Sequence, residues 1–306
     1  MGQDRLAIID LGSNTFHLLI VQRSHSAPGF KEIFRQRDFV YLSRGGIDSI
    51  SPSACKRGLE SLTRFSDYLT KYEVSNVICY GTATLRKAEN GGEFIQIVKA
   101  SFDIDIQLID GQREAALIYK GVRLTTSVDF SQPILTMDVG GGSVEFILSH
   151  QNLVKYAYSI NIGISELRAR FPSSDPPTFK NHDDVMKHLW QECHQVLEVC
   201  REIKPVTLIG SSGLFEFLMS MDGQTPILKG NIILSDQALK LLRLVSISSS
   251  KERRLIKGMP IDRYDLSLES SYIMLFVLES MKTIGNTVVS PFAMKEGAIS
   301  ECYNLD

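Results

Sequence analysis

Two similar stretches, 128 positions apart (Asp10 to Asp138), constrain the fold of this chain most strongly. The first covers residues 8–20 and the second residues 136–148. Each places an aspartate near the end of an apolar run, then a glycine turn, then a second apolar run. An offset this long does not suit a solenoid repeat and is typical of a duplicated domain. We therefore predict two related halves, each built around a strand–turn–strand unit.

The turns and their acids suit a phosphate chain with a bound cation. Glycines let backbone N–H groups approach an anion without a Cβ in the way, and an acid beside such a turn can face a phosphate-bound metal. A plain glycine hairpin explains one copy equally well. A second copy favours two turns that grip one phosphate chain from both sides. The turn residues are Gly12, Ser13, Asn14 and Thr15 in the first half and Gly140, Gly141, Gly142 and Ser143 in the second.

Composition bounds the class of protein. A chain of 306 residues with 43% hydrophobic content predicts about two domains and a large core. The net charge of −2 argues against a nucleic-acid partner, so any polyanion must meet local Arg and Lys side chains. No run of 18 apolar residues and no signal-type start is present, so we expect a cytoplasmic protein with no membrane partner. Five cysteines without a CxxC pair predict free thiols.

Strands alternate with helices in both halves, which indicates an α/β fold with a mixed sheet in each. We place the first domain at residues 1–127 and the second at 128–306, with a polar linker at Thr125, Thr126 and Ser127. The C-terminal helix, about residues 296–306, is expected to pack back on the first domain. Besides the hairpins, we predict strands over residues 30–40, 74–80, 104–109, 153–162, 206–209 and 287–290, and helices over 52–72, 110–124, 183–204, 235–245, 251–256 and 267–281.

A further turn, residues 81–87, leads from a strand into a helix. Gly210-Ser211-Ser212-Gly213 ends the strand over residues 206–209 and resembles that turn in its position within its half. Helix N-termini attract anions because free N–H groups and the macrodipole converge there. These turns are therefore candidates for additional phosphate contacts.

Taken together, the motifs resemble the exopolyphosphatase/guanosine pentaphosphate phosphohydrolase family of the actin-like, sugar-kinase and heat-shock ATPase superfamily. The resemblance covers nearly the whole chain. It implies two actin-like (ribonuclease H-like) domains with an active-site cleft between them, in a short form that is less processive on long polyphosphate. The matching stretches are residues 9–15, 83–91, 111–115, 138–145, 163–167, 210–213, 263–265 and 295–297.

The resemblance also implies a reaction. Terminal orthophosphate would leave inorganic polyphosphate, guanosine pentaphosphate or both, with Glu114 as the base that orients and deprotonates water. Arg86 would offer a planar fork to phosphate oxygens. Asp138 and Glu145, with Asp10 as a weaker third, would hold Mg²⁺. The two glycine turns and Gly210, Ser211, Ser212 and Gly213 would bind the phosphates. A homodimer is plausible from the resemblance alone.

Other interpretations stay open. A kinase of the same superfamily and a non-catalytic guanosine-polyphosphate sensor would share the glycine turns. Glu114 can be a first-turn acid that only favours the helix dipole, and Arg86 can be a solvated helix residue. A zinc site on the helix with His188 and Cys193 is disfavoured, since positions five apart do not share a face. A basic group near the C-terminal end can be a rim for the polyanion or a solvated face; its members are Arg253, Arg254, Lys257 and Arg263.

Overall fold

The computed structural model describes residues 5–44, 46, 48–124, 128–261 and 263–305. The predicted linker, Thr125 to Ser127, lies outside the described residues. The chain forms two compact units. The first comprises Met1–Leu124, Gly140–Gly142 and Met294–Asp306, and the second comprises Thr125–Val139 and Ser143–Ala293.

A five-stranded mixed sheet forms the centre of the first unit. Its strands are β1 (Arg5–Leu11), β2 (Thr15–Arg23), β3 (Phe30–Phe39), β4 (Asn76–Gly81) and β5 (Ile106–Leu108), in the order β3-β2-β1-β4-β5. Strand β1 pairs antiparallel with β2 and parallel with β4. Because β1 is central, its residues from Leu6 to Ile9 are fully buried, as a continuous apolar run predicts.

Four helices of the first unit lie between or after the strands of its sheet in the sequence. They are α1 (Pro52–Lys71), α2 (Ala83–Lys87), α3 (Gly91–Phe102) and α4 (Gly111–Arg123). Ser51 caps α1: its hydroxyl accepts a hydrogen bond from the Ala54 N–H, and Pro52 occupies the first turn. Asp110 caps α4 in the same way through the Arg113 N–H. These contacts fix the backbone at the start of α4, where Glu114 is the residue after Arg113.

The second unit contains a six-stranded mixed sheet. Its strands are β6 (Ile134–Val139), β7 (Val144–His150), β8 (Leu153–Ile160), β9 (Thr207–Ser211), β10 (Asn231–Leu234) and β11 (Asn286–Val289), in the order β10-β11-β9-β6-β7-β8. Its helices are α5 (Ile164–Arg170), α6 (Phe179–Glu192), α7 (His194–Ile203), α8 (Gly213–Met221), α9 (Ser235–Ile247), α10 (Ser250–Arg253) and α11 (Ser267–Ser280). Strand β6 pairs antiparallel with β7 and parallel with β9, as β1 does with β2 and β4. The predicted fold class, two mixed sheets flanked by helices, is confirmed.

The prediction of one long helix over residues 183–204 is wrong. The chain there forms α6 and α7, separated at Cys193, whose φ of −96° and ψ of 7° leave the helical range. Helix α6 also begins earlier, since Thr178 and Asn181 form a capping box. The apolar spacing continues from Leu189 to Val196 across the break, so periodicity alone cannot reveal it. Strand β10 and helix α8 have no counterpart among the sequence predictions.

The last helix, α12 (Met294–Tyr303), lies against α4 within the first unit. Arg113 of α4 donates two hydrogen bonds to the Glu301 carboxylate, at 2.8 Å and 2.5 Å, and the Lys120 ammonium donates a third at 2.7 Å. None of the helices in the described part of the chain has the length and apolar character needed to cross a membrane.

Glu301 gives the protein a measurable acid sensitivity. The hydrogen bonds from Arg113 outweigh the effect of burial and, with Lys120, lower the pKa of Glu301 from 4.5 to about 2. A carboxyl with a depressed folded-state pKa stabilises the protein above its unfolded pKa, and that stability is lost as the pH falls from about 4.5 towards 2. We expect Glu301→Gln to cost about 1–3 kcal/mol at pH 7, reduced by solvent at this partly exposed pair, and progressively less below pH 4.5. Urea unfolding between pH 2.5 and 7 measures this, and a pH-independent difference would contradict it.

Candidate active site

The first glycine turn joins β1 to β2 and is rigidly held. The Gly12 N–H donates to the Thr15 carbonyl at 3.0 Å, and a Cβ on Gly12 would lie only 2.9 Å from that oxygen. Ser13 and Asn14 are buried. The Thr84 hydroxyl at the start of α2 donates to the Ser13 hydroxyl at 2.7 Å. The turn therefore keeps its shape through contacts with other elements as well as through its own hydrogen bond.

The second glycine turn lies directly against the first. Gly140 to Gly142 belong to the first unit, unlike the strands on either side of them. A Cβ on Gly141 would lie 2.7 Å from the Asn14 Nδ2 atom and 2.8 Å from the Ser13 Cβ atom. Side chains do not fit at that separation, so this approach requires glycine. The two turns that the sequence pairs by similarity are thus brought together.

Asp138 and Glu145 form a pair across β6 and β7, directly opposite in register. The Ser211 hydroxyl donates to Asp138 Oδ2 at 2.6 Å, and the Ser159 hydroxyl donates to Glu145 Oε1 at 2.7 Å. Glu145 is 1% exposed. Like charges directly opposite on a sheet repel, and a cation between them relieves that repulsion. Their hard oxygen donors fit Mg²⁺, which takes its other ligands from water and phosphate.

Asp10 occupies the corresponding position in the first unit, opposite His17 on β2. Its Oδ2 lies 3.9 Å from the Lys295 ammonium at the start of α12. Among the described residues, no group of three or more His, Cys, Asp or Glu side chains is placed to hold a metal ion. The metal roles of Asp10, Asp138 and Glu145 therefore stay predictions.

The loop after β9 is shaped by close contacts. A Cβ on Gly210 would lie 2.0 Å from the Phe215 ring, and a Cβ on Gly213 would lie 2.0 Å from Nη1 of Arg263. The Arg263 guanidinium, which also pairs with Glu216 at 2.8 Å, thus lies on the first residue of α8. Between the glycines, the Ser212 hydroxyl accepts a hydrogen bond from the Val139 N–H at 3.3 Å. This loop is therefore fastened to the strand that carries Asp138.

Within the basic group near the C-terminal end, Arg253 is neither a rim nor a solvated residue. It is buried, and its Nη1 donates to the Ser248 carbonyl at 2.7 Å. Arg254 is exposed and lies over the Tyr264 ring at 4.2 Å. The four residues therefore do not share one environment.

Ser212 has a strained backbone at this predicted phosphate loop. Its φ of 92° and ψ of 173° lie in a region that is essentially restricted to glycine and costs about 1–3 kcal/mol for other residues. We expect Ser212→Gly to raise the free energy of unfolding by about 1 kcal/mol, even though it loses the weak bond from Val139. Urea unfolding against Ser212→Ala isolates the backbone effect, since alanine removes the hydroxyl and keeps the strain. Equal stabilities of the two variants would contradict the argument.

Arg86 and Glu114 form an ion pair in the first unit. Glu114 lies in the first turn of α4 and Arg86 in α2, with Nη1 of Arg86 3.3 Å from Oε2 of Glu114. The guanidinium also donates to the Ile109 carbonyl. Their side chains are 23% and 14% exposed, so the interpretation of Arg86 as a solvated helix residue is wrong. The predicted phosphate ligand and the predicted base are direct neighbours.

Two further side chains adjoin the predicted site. Lys295 lies next to Asp10, and Thr84 hydrogen-bonds Ser13. Thr84 is an ordinary small residue in a turn, and its contact is visible only in three dimensions. Lys295 does carry a signal, because a lysine in the first turn of a helix opposes the macrodipole. His17, whose Nε2 is 2.9 Å from the Thr15 hydroxyl, supports the turn, in line with a structural role.

Comparison with known proteins identifies the family of this chain. The model of the Ppx/GppA phosphatase family matches residues 19–304. The chain belongs to this family. A crystal structure of an exopolyphosphatase from Cytophaga hutchinsonii is 29% identical, with a TM-score of 0.91 and 98% of both chains covered. A crystal structure of the Aquifex aeolicus member of the Ppx/GppA family, at 23% identity and a TM-score of 0.79, shows the same fold.

The curated relatives that this chain matches are longer than the chain itself. A guanosine-5'-triphosphate,3'-diphosphate pyrophosphatase from Vibrio cholerae is 28% identical over 301 residues, which cover 96% of this chain. The corresponding protein of Vibrio parahaemolyticus is 27% identical over the same length. The chain spans 58% of the length of either relative.

Proposed function

We propose that this protein is a phosphohydrolase that releases orthophosphate from the end of a phosphoanhydride chain. The pair of Arg86 and Glu114 carries the proposal. A guanidinium that can bind a phosphate and a carboxylate that can bind a water lie 3.3 Å apart, in the unit that contains both glycine turns. Family membership and the names of the relatives support the same reaction class.

In the proposed reaction each group has one task. The Gly12 N–H is bonded to the Thr15 carbonyl, so the turn offers backbone N–H groups of the residues after Gly12 to phosphate oxygens. The close approach of Gly141 keeps side chains out of that space. Arg86 binds the terminal phosphate with its planar fork and exchanges part of its contact with Glu114 for the phosphate. Glu114 then orients a water and accepts its proton as the water oxygen bonds to the terminal phosphorus. The bridging P–O bond of the phosphoanhydride breaks, so orthophosphate and the shortened phosphate chain are released.

A divalent cation fits the carboxylates of the second unit. Asp138 and Glu145 would hold it, with the Ser211 and Ser159 hydroxyls orienting them. When bound, Mg²⁺ would neutralise charge that develops on the phosphate oxygens. The names of the relatives leave two substrates, inorganic polyphosphate and guanosine pentaphosphate, which end in the same phosphoanhydride linkage.

A single assay series tests the proposal. Purified protein is given polyphosphates of several lengths, guanosine pentaphosphate or ATP, with Mg²⁺ or with a chelator, and orthophosphate is measured. We expect release from at least one of the first two, and its loss with the chelator. A parallel measurement follows phosphoryl exchange from ATP to ADP. Exchange without orthophosphate release would favour a kinase, and binding without either reaction would favour a sensor.

A further inference from the structure

Lys295 lies where a lysine is costly. It is the second residue of α12, close to the positive end of the helix dipole, and only 8% exposed. Within the described residues its one polar contact is Asp10, at 3.9 Å. This separation exceeds a hydrogen bond, so none of the three N–H donors of the ammonium is bonded to a described protein acceptor. An ammonium with unused donors, on a side chain that is largely buried, is well suited to bind an anion.

The residues after Lys295 fix its position without needing its charge. The buried Glu296 pairs with Arg35 of β3 at 2.8 Å. Gly297 packs its backbone against Leu117 and Gly121 of α4. These contacts hold the first turn of α12 in place. The ammonium is consequently presented beside Asp10, two residues before the Gly12 turn.

We propose that Lys295 is a phosphate-binding residue of this site, and that Asp10 positions it. The inference deepens the proposed function, since its ligand is the phosphate that the Gly12 turn receives. The Lys295 ammonium donates to a phosphate oxygen, and the Asp10 carboxylate orients the ammonium. In this arrangement Asp10 is the partner of the Lys295 ammonium and is not a third metal ligand.

The competing explanation is a structural ion pair between α12 and β1. The two explanations predict different changes in the melting temperature when the Lys295 ammonium is removed. If the pair serves stability, removal of the ammonium lowers the melting temperature. If Lys295 serves phosphate binding, its burial beside the helix N-terminus is a cost, and a neutral side chain of similar length leaves the melting temperature unchanged or higher.

The experiment compares Lys295→Met with Lys295→Arg and with Lys56→Met, an exposed lysine of α1. Melting temperatures are recorded with and without inorganic phosphate, and kcat and KM are measured on the substrate that the wild type hydrolyses. For Lys295→Met we expect an unchanged or higher melting temperature without phosphate, loss of the phosphate-induced rise, and a KM raised about tenfold or more. Lys295→Arg should retain part of the rise, and Lys56→Met all of it.

Three outcomes overturn the assignment of Lys295. They are a wild type whose melting temperature does not respond to phosphate, a Lys295→Met variant that responds as the wild type does, and a Lys295→Met variant that melts lower while Lys295→Arg restores stability without restoring the response. These three outcomes are distinct from a failure of the hydrolase proposal. A wild type that releases no orthophosphate contradicts that function, while the phosphate-induced rise still tests Lys295.

Discussion

Replacement of Glu114 by glutamine is expected to lower the rate of phosphate release by about 100-fold or more while the protein still binds its substrate. Glutamine keeps the size and hydrogen-bonding reach of the side chain but cannot accept a proton from water, and general-base catalysis contributes about 10²–10⁴-fold. The ion pair with Arg86 is lost as well. The guanidinium keeps its bond to the Ile109 carbonyl, so the phosphate ligand stays in place.

A matched control separates catalysis from a helix-dipole effect. Glu93 is also a first-turn acid of a helix in the first unit, but it is exposed and lies in α3. Glu93→Gln should leave the rate of orthophosphate release within about twofold of the wild type, since exposed surface substitutions usually change little. Initial rates, substrate binding and melting temperature are measured for both variants. If Glu114→Gln turns over like Glu93→Gln, Glu114 is not the base.

The repeated hairpins and the sheet class were predictable because they depend on local sequence. Asp10 and Asp138 each follow an apolar run that is buried in a central strand, and glycine after the aspartate permits a tight turn. Ser51 before Pro52 marks the start of a helix with similar clarity, since both residues act within one turn. These features need no knowledge of distant contacts.

The helix break at Cys193 and the short edge strand β10 were not predictable in this way. Cys193 leaves the helical range although the apolar face continues from Leu189 to Val196 on either side of it. Strand β10 has only four residues, and Ile232 and Leu234 are exposed, so its pattern is too short to recognise. Tertiary packing decides both cases.

The same distinction between local sequence and distant contacts applies to the candidate site. Residue types and spacing suffice to propose the two glycine turns, and the family resemblance adds Glu114 as the base. The pairing of Glu114 with Arg86, and the closeness of Gly141 to Asn14, depend on elements far apart in sequence. Arg253 shows the opposite error, because a charge that looks solvated in sequence is buried against a backbone carbonyl. Contacts between elements that are far apart in sequence are visible in the structure and cannot be inferred from the spacing of residues.

Substitution of Gly297 by alanine is expected to cause a large loss of stability. A Cβ at this position would lie 1.8 Å from the Leu117 carbonyl oxygen, 2.7 Å from its carbon and 3.0 Å from the Gly121 nitrogen. All three are backbone atoms of α4, which cannot move aside as a flexible side chain can. Helix α12 must therefore shift away from α4, which also strains the bonds of Glu301 to Arg113 and Lys120.

Overpacking of this kind costs about 1–3 kcal/mol and occasionally more, and the rigid backbone on the α4 side places Gly297→Ala at or above about 3 kcal/mol. Gly92→Ala is the matched control. Gly92 lies in α3, and nothing is found within 4 Å of its added Cβ, so alanine there should be neutral or stabilise by up to about 1 kcal/mol. Urea unfolding of both variants gives the comparison. If Gly297→Ala costs no more than Gly92→Ala, α12 and α4 are not in the close contact described, and Lys295 loses the support that holds it beside Asp10.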